Sequence, residues 1–239
     1  MFFDDHPRFL ETSNTGNQLS RLNWRYKAVI EDNVDLLQAK RVLDIASHDG
    51  RWSYAALRVG ASYVTGIEAR PRLVENAKRT LEHYGASPDT YRFIVGDVFQ
   101  VLRNTRPTIQ ADVAMCLGFL YHTIRYPELL LGIRATGATY LVLDTAVASG
   151  KQRVVRLFAE NIENENNAVP GRDTFRDKAL VGWPTPSALE FILDSFGFDV
   201  VKKFDWQSAL VGGKKQAVGQ YRRGRRVTWV AKVRPAPDD

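Results

Sequence analysis

The chain has 239 residues, which is enough for one large α/β domain and too short for two full ones. Of these residues 44% are hydrophobic and 25% are charged, as is usual for a globular protein. Its one cysteine, Cys116, excludes an intramolecular disulfide and fits a reducing compartment. The first residues do not show the basic start and apolar core of a signal peptide. No apolar run approaches the roughly 20 residues of a membrane span. We therefore expect a cytoplasmic protein without a membrane partner.

The net charge of +6 is concentrated near the C-terminal end. Between Val201 and Arg234 ten residues are basic and only Asp205 is acidic, which gives this segment +9 and leaves −3 for the rest of the chain. This asymmetry favours an anionic partner, and RNA binding through residues 214–226 is one hypothesis. A solvated hairpin without a partner explains the same charges.

The first 17 residues are polar and predict irregular structure. In residues 18–38 apolar side chains recur at spacings of three and four, which predicts one amphipathic helix. Residues 1–40 would then form a helical flank that leads directly into the first strand. This flank is either a structural cover or a lid over the ligand site.

The most informative stretch is residues 41–50. An apolar strand over residues 42–46 ends in the polar turn Ser47-His-Asp-Gly50, and a helical pattern follows over residues 51–59. Such a turn lets backbone N–H groups approach a ligand closely. A second strand ends in Glu68, about 20 residues later, where an acid can hydrogen-bond a ribose diol. The pattern predicts a nucleoside site, with an ordinary βαβ unit as the alternative.

Strands and helices continue to alternate. We predict strands over residues 63–67, 91–95, 112–117 and 138–143, and helices over residues 71–85 and 127–134. The alternation predicts an α/β fold with a parallel sheet covered by helices on both faces. Ligands in such sheets bind beyond the carboxyl ends of the strands. We therefore expect one sheet edge to collect Asp44, residues 47–50, Glu68, Asp97, residues 118–122 and Asp144.

Residues 145–183 interrupt this rhythm. Apolar residues from Val154 to Ile162 have helical spacing, and a polar run and the turn Pro170-Gly171 follow. A connection of this length predicts an inserted lid within a single domain of residues 1–239. Another helix follows Pro186, and two final strands over residues 198–204 and 227–233 enclose a basic hairpin loop at residues 207–226.

These residues resemble the class I S-adenosylmethionine-dependent methyltransferases. The likeness rests on Val42-Leu-Asp-Ile-Ala-Ser-His-Asp-Gly50, on Glu68, on Gly96-Asp97-Val98 and on the two terminal strands. Asn23-Trp-Arg-Tyr26, Arg51-Trp-Ser53 and Gly118-Phe-Leu-Tyr-His122 are similar to the scaffold of the tRNA wobble-uridine carboxymethyltransferases. The resemblance implies a Rossmann-like, mostly parallel seven-stranded sheet with an antiparallel last strand. It also implies an enzyme that uses S-adenosyl-L-methionine.

The resemblance also implies roles for individual residues. Asp44 would orient the turn or the amino group of the cofactor, Glu68 would bind the ribose, and Asp97 the adenine amino group. The cofactor-binding set is completed by Ala46, Ser47, His48, Gly50, Ala69, Val98 and Leu117. Phe119 or Leu120 would line the mouth for methyl transfer. Ala46 and His48 stand where the family usually has glycine, and His48 tolerates left-handed backbone better than most residues.

For the catalytic base, His122 is the first candidate, with Tyr121 orienting the acceptor. A hydrogen bond from His122 to the lid or to the N-terminal helix is the alternative. His48 and Asp144 are further candidates. Asp144 lacks an adjacent carboxylate, so we expect no metal, and Cys116 is expected in the core.

The expected reaction is O-methylation of a small molecule or glycan. Trp183, Trp206 and Trp229 are candidates for the acceptor pocket, although the position of Trp229 within the last strand favours the core. Two alternatives remain: an RNA methyltransferase that uses the basic loop, and a non-catalytic cofactor-binding module.

Overall fold

The computed structural model describes residues 1–12, 19–104, 109–164, 167, 174–210 and 218–235. Its centre is a seven-stranded sheet with the strand order β3-β2-β1-β4-β5-β10-β9. These strands are β1 (Arg41–Ile45), β2 (Tyr63–Glu68), β3 (Tyr91–Val95), β4 (Val113–Leu117), β5 (Tyr140–Ala146), β9 (Phe198–Lys203) and β10 (Arg226–Val233).

The five strands from β3 to β5 are parallel, whereas β10 runs antiparallel to both β5 and β9. The strand order reverses between β1 and β4, which are neighbours in the sheet. The predicted Rossmann-like sheet with an antiparallel last strand is therefore confirmed. The crevice beyond the carboxyl ends of β1 and β4 is where this topology places a ligand.

Helices cover both faces of the sheet. The helices are α1 (Arg8–Glu11), α2 (Leu19–Val29), α3 (Val34–Leu37), α4 (Arg51–Arg58), α5 (Pro71–His83), α6 (Val98–Asn104), α7 (Tyr126–Arg134), α8 (Pro186–Ser195), α9 (Trp206–Ala209) and α10 (Gly219–Arg222). Side chains from α2, α4 and α5 form one core cluster, and side chains from α6, α7 and α8 form the other. Because strand residues alternate between faces, Val42 joins the first cluster and Leu43 the second.

The N-terminal region is more ordered than the sequence predicted. Phe3 and Phe9 are fully buried in short helical turns, so the expectation of irregular structure over the first residues was wrong. The single helix predicted over residues 18–38 is divided as well. Helix α2 ends at Val29 because the side-chain amide of Asn33 donates to the carbonyl oxygens of Ala28 and Val29.

Two differences affect the site edge. Helix α6 begins directly after Asp97 and was not predicted. Strand β5 continues to Ala146 because β10 pairs with it as far as Arg226. Asp144 therefore lies inside a strand, not beyond its end, and the predicted boundary at residue 143 was wrong.

The insertion after β5 forms a separate three-stranded sheet in the order β6-β8-β7. Its strands are β6 (Val155–Asn161), β7 (Thr174–Phe175) and β8 (Lys178–Pro184). The helical spacing of residues 154–162 was misleading, because β6 pairs with β8 along its whole length. Long-range pairing overrides a short local pattern of this kind.

The predicted basic hairpin loop contains the short helices α9 and α10. Lys214 and Lys215 lie outside the described residues. In the ranges given above, no helix combines the length and the apolar character needed to cross a bilayer.

Candidate active site

The turn after β1 has an unusual backbone for the residues that form it. Ala46 and His48 adopt left-handed φ angles of 54° and 53°, next to Gly50 at 74°. Such angles cost a non-glycine residue about 1 kcal/mol or more. The backbone N–H of Ser47 donates to the carbonyl of Ile67 at 2.9 Å, which holds the turn against the end of β2.

Glu68 joins the ends of three strands. Its carboxylate accepts the backbone N–H of His48 at 3.0 Å and that of Arg70 at 2.9 Å. The carbonyl oxygen of Glu68 accepts the N–H of Gly96 at 3.0 Å, which brings Asp97 to the same edge. Asp97 caps α6 by accepting the N–H of Gln100, also at 3.0 Å.

The structure thus brings together most of the residues predicted to hold the cofactor: residues 46–50, Glu68 and its neighbour Ala69, and Asp97 with the buried Val98. Leu117 lies at the end of the adjacent strand β4. Their cofactor-binding roles stay predictions.

Two buried aspartates near this turn have different surroundings. Burial raises the pKa of Asp44 to about 7, and the Ser53 hydroxyl that donates to it at 2.7 Å offsets this only in part. Asp49 is also buried, but its carboxylate accepts from Arg51 Nε at 2.7 Å. Burial acts to raise the pKa of Asp49, but the Arg51 charge and the neighbouring hydrogen-bond donors together outweigh it and hold the pKa below its usual range.

Two buried polar atoms of the turn have no hydrogen-bond partner among the described residues. They are the hydroxyl oxygen of Ser47 and Nδ1 of His48, which lies 3.6 Å from the nearest Asp49 oxygen. Buried polar groups in native proteins are generally paired. Together with the carboxylates of Glu68 and Asp97, these atoms form a donor and acceptor set that fits a nucleoside carrying an amino-acid tail.

The carboxyl end of β4 leads into the opposite side of the crevice. Gly118 has a left-handed φ of 113°, and a short 3-10 helix of residues Leu120–His122 follows. Leu120 is buried in the core, so it does not line a mouth for methyl transfer. Phe119 is partly buried and packs against the same core cluster.

Asp144 is the centre of a buried ionic cluster. Its carboxylate accepts from Arg226 Nε at 2.7 Å, Arg25 Nη2 at 3.1 Å, the Tyr221 hydroxyl at 2.9 Å and the Thr228 hydroxyl at 2.6 Å. Burial acts to raise the pKa of Asp144, but the charges of Arg226 and Arg25 and the hydrogen bonds to the carboxylate together outweigh it and lower the pKa to about 2. A carboxylate held in this way is a structural anion, which argues against Asp144 as a base.

Arg25 and Arg226 both lie over Gly118. A Cβ atom on Gly118 would stand 3.2 Å from Nη2 of Arg226, so a side chain there would displace the guanidinium group. Nη2 of Arg25 also donates to the carbonyl of Leu117 at 3.2 Å. With one aspartate between two arginines, this side of the crevice has an excess of positive charge.

His122 faces the insertion. Its Nδ1 lies 2.7 Å from the carboxylate of Glu160 on β6, and its ring packs against Tyr121 with centroids 4.1 Å apart. The ring of Trp183 on β8 contacts Tyr121 edge-on, with 5.9 Å between the ring centroids, and its centroid lies 5.1 Å from that of Phe158. The hydrogen bond from His122 to the insertion, one of the two alternatives from the sequence, is therefore present.

The other two tryptophans considered for the acceptor pocket lie elsewhere. Trp206 is buried and stacks on Tyr221 at 3.9 Å, and Trp229 is buried in the core on one face of the sheet. Of the three candidates, Trp183 alone contacts Tyr121.

The insertion also contacts the cofactor side. The guanidinium group of Arg70 donates to the carbonyl oxygens of Asn164 and Asn167, at 3.3 and 3.4 Å. Arg70 follows Glu68 by two residues, whereas His122 lies on the acceptor side. The insertion thus touches both sides of the crevice.

Sequence reasoning missed the roles of Arg25, Glu160 and Arg226. The sequence placed Arg25 within the predicted N-terminal helix, Glu160 within a helical pattern, and Arg226 in the basic loop. Their partners lie 119, 38 and 82 residues away along the chain. No local pattern marks such pairs.

Two curated relatives of the chain are RNA-modifying enzymes. The ribosomal RNA large subunit methyltransferase I of Pseudoalteromonas translucida is 37% identical over 67 residues, 28% of this chain and 17% of that protein. The tRNA U34 carboxymethyltransferase of Chromohalobacter salexigens is 25% identical over 190 residues, 77% of this chain and 52% of that protein. The chain thus matches at most about half the length of these relatives, and no family model matches it.

Solved structures that contain S-adenosylhomocysteine resemble the chain over nearly its whole length. The 1,6-didemethyltoxoflavin-N1-methyltransferase of Burkholderia thailandensis, with 1,6-didemethyltoxoflavin and S-adenosylhomocysteine bound, has a TM-score of 0.58 at 16% identity, covering 98% of this chain and 90% of that one. The N-terminal domain of EvdMO1, in the presence of S-adenosylhomocysteine and D-fucose, also has a TM-score of 0.58 at 16% identity, covering 93% and 85%. The chain therefore has the fold of the class I S-adenosylmethionine-dependent methyltransferases.

Proposed function

We propose that the protein is an S-adenosylmethionine-dependent methyltransferase that methylates a hydroxyl group of a small molecule or glycan. The observation that carries the proposal is the position of Glu68. Its carboxylate is hydrogen-bonded to the turn after β1 and lies beside Asp97, at the edge where the strand order reverses. In this fold that edge binds nucleotides and related cofactors.

The charges at this edge suit the cofactor. S-adenosylmethionine has a sulfonium and an ammonium group, so an anionic site favours it. Among the described residues, the carboxylates of Asp44 and Glu68 have hydroxyl or backbone N–H donors and no ion-pair partner. A bound cation would compensate both charges.

The residues of the chain would divide the work as follows. Glu68 would accept hydrogen bonds from the ribose hydroxyls and Asp97 from the adenine amino group. When bound, the cofactor supplies an electrophilic methyl group on its sulfonium. His122 would accept the proton of the acceptor hydroxyl, Tyr121 would orient the acceptor, and the insertion would exclude water.

An aromatic wall on the acceptor side supports a ring or sugar substrate. Tyr121, Trp183 and Phe158 contact one another there, and such surfaces pack well against the apolar faces of ligand rings. The EvdMO1 domain, which shares the fold, was crystallised with S-adenosylhomocysteine and D-fucose.

Calorimetry with S-adenosylmethionine and S-adenosylhomocysteine tests the cofactor assignment. We expect micromolar or tighter binding, weakened about 10-fold or more in Asp97→Ala because a hydrogen bond to the adenine is lost. Asp89→Ala, at an exposed position near the start of β3, is the matched control and should bind normally. Absence of binding to the unmodified chain would reject both the enzyme and the non-catalytic cofactor-binding module.

Turnover tests the catalytic assignment. The chain would be incubated with methyl-tritiated cofactor and a panel of monosaccharides, phenols and other hydroxylated small molecules. In His122→Ala we expect turnover to fall by about 10²-fold or more while cofactor affinity is unchanged, since a general base contributes that much. Normal turnover would remove His122 as the base. Cofactor binding without methylation of any class of acceptor would favour the non-catalytic module.

RNA is the second candidate acceptor, because both curated relatives are named for RNA substrates. Arg222, Arg223 and Arg225 are exposed around α10, whereas Arg226 is committed to Asp144. A gel shift with tRNA and ribosomal RNA at increasing salt tests this alternative. Replacing the three exposed arginines with glutamine should abolish a salt-sensitive shift, and the same change at exposed Lys78 and Arg79 should not. RNA that does not shift would reject it.

A further inference from the structure

We propose that Glu160, on the inserted sheet, is a positioning residue for His122. In this proposal Glu160 fixes the imidazole tautomer and provides the counter-charge that lets Nε2 act as the base. The inference deepens the proposed function and rests on it, since it assumes that His122 accepts the acceptor's proton.

The tautomer follows from the chemistry of the contact. An ionised carboxylate can only accept hydrogen bonds, so at 2.7 Å from Glu160 the proton of a neutral His122 is on Nδ1. The lone pair of the ring is then on Nε2. Among the described residues the side-chain hydrogen bond of His122 is made through Nδ1 and not through Nε2, which leaves Nε2 available to an acceptor hydroxyl.

The contact lies in a setting that restricts both partners. The side chains of His122 and Glu160 are 13% and 15% exposed, so water competes weakly for the bond. Tyr121 packs on the imidazole ring, and Trp183 packs against Tyr121 from the same inserted sheet as Glu160. A charge-assisted hydrogen bond in such surroundings is stronger than one in water.

The proton transfer balances without further reactants. The O–H bond of the acceptor breaks, an Nε2–H bond forms, and the electron pair stays on the acceptor oxygen. His122 becomes an imidazolium ion, and Glu160 faces its positive charge across the Nδ1–H bond. The proton on Nδ1 stays in place, so Glu160 acts through His122 and not on the substrate.

This arrangement makes the base depend on the insertion. Glu160 lies on β6, which pairs with β8 and is held to the rest of the chain by the Trp183–Tyr121 contact and by the bonds from Arg70 to Asn164 and Asn167. His122 would have its productive tautomer only while the inserted sheet is docked.

Nitrogen-15 NMR of histidine-labelled protein tests the proposal without needing an acceptor. The chain has four histidines, and loss of one signal pair in His122→Gln assigns the site. We expect neutral His122 of the unmodified protein to carry its proton on Nδ1, with or without S-adenosylhomocysteine. Glu160→Gln, which keeps a carbonyl acceptor, should preserve this tautomer, and Glu160→Ala should shift it toward the Nε2–H form.

Glu163→Gln is the matched control, because Glu163 is an exposed acid in the same insertion. Its spectrum should match that of the unmodified protein. An Nε2–H tautomer in the unmodified protein, or an unchanged tautomer in folded Glu160→Ala, would overturn the proposal. If Glu160→Ala does not fold, the unmodified protein and Glu160→Gln still decide the question.

Kinetics separates this proposal from the proposed function. With an acceptor from the panel, Glu160→Ala should lower kcat about 10-fold or more at unchanged KM for the cofactor, and added formate should restore part of the rate. Normal kcat in Glu160→Ala would overturn the positioning role and leave the methyltransferase intact. If the unmodified chain binds no cofactor, the proposed function fails, and the catalytic role of Glu160 fails with it even where NMR finds the Nδ1–H tautomer.

Discussion

Asp44 on β1 and Asp144 on β5 are both fully buried carboxyl groups near the carboxyl ends of parallel strands, but their surroundings shift the two pKa values in opposite directions. Asp44 accepts from one hydroxyl, that of Ser53, and burial raises its pKa to about 7. Asp144 is also buried, but it lies between Arg25 and Arg226, and their charges together with its hydrogen bonds outweigh burial and lower its pKa to about 2. The same residue type in similar positions on one sheet is therefore poorly compensated in one case and over-compensated in the other.

The two sides of the crevice therefore differ in where the counter-ion of the buried carboxylate comes from. On the cofactor side none of the described residues pairs a cation with Asp44, and in our proposal a cationic ligand provides one. On the acceptor side the chain supplies its own counter-ions, and they hold α2, β5 and β10 together. In our proposal a ligand completes the charge compensation on the cofactor side, whereas residues of the chain complete it on the acceptor side.

The largest expected effect comes from Asp144→Asn, which leaves two buried arginines without their anion. Removal of one partner of a buried ion pair costs about 3–5 kcal/mol, so we expect the free energy of unfolding at pH 7 to fall by that amount. Urea denaturation measures it. Asp35→Asn, at an exposed position, is the control and should change stability by less than about 0.5 kcal/mol.

The pH dependence of the same site has a defined sign. Since folding lowers the pKa of Asp144 from 3.8 to about 2, its stabilising contribution is present above pH 3.8 and is lost as pH falls through about 2. A loss of less than about 1 kcal/mol at pH 7 in Asp144→Asn would contradict the cluster as a stabilising unit.

The same substitution at Asp44 should act in the opposite direction. Folding raises the pKa of Asp44 from 3.8 to about 7, so its stabilising contribution is complete below pH 3.8 and is lost as pH rises through about 7. Without cofactor, Asp44→Asn should be more stable than the unmodified protein at pH 8, by up to about 4 kcal/mol. The two proteins should have similar stability at pH 4.

Urea denaturation from pH 4 to pH 8 checks this prediction through the difference between the two proteins, with Asp35→Asn again as control. A difference that stays constant with pH would show that Asp44 does not titrate in this range. A saturating concentration of S-adenosylmethionine should reduce the advantage of the variant, because the cation compensates the carboxylate.

The smallest expected effect concerns the turn beside Asp44. Since His48 has a φ of 53°, His48→Gly should raise the free energy of unfolding by about 0.5–1 kcal/mol through relief of backbone strain. Thermal unfolding measures it, and His83→Ala, at an exposed helical position, is the control. Destabilisation in His48→Gly would mean that the side chain contributes more than its backbone strain costs.

The positions of the sheet strands could be predicted because their patterns are local. Residues 42–46, 63–67 and 91–95 are short apolar runs bounded by turn residues, and each strand boundary was found within one residue. The same patterns placed Glu68 and Asp97 at one edge, since parallel strands end on the same side of a sheet. Helix α6 after Asp97 was missed although its residues directly follow the predicted motif.

The acceptor side could not be predicted in the same way. The run from Val154 to Ile162 has the spacing of a helix, but β8 pairs with it and makes it a strand. Glu160 faces His122 only as a consequence of that pairing. The sequence predicted Asp144 as a free acid after a strand. In the structure β10 pairs with β5 past Asp144 and brings Arg226 next to it.

By itself the sequence determined the α/β alternation, the turn after β1, and the acids at the end of β2 and after β3, because these depend on patterns within about 20 residues. Tertiary structure alone decided the inserted sheet, the Glu160–His122 pair and the charge states of Asp44 and Asp144. The physical reason is that a buried carboxyl responds to any charge within a few ångströms, whatever the distance along the chain. For Asp144 those charges come from residues 25 and 226, at nearly opposite ends of the protein.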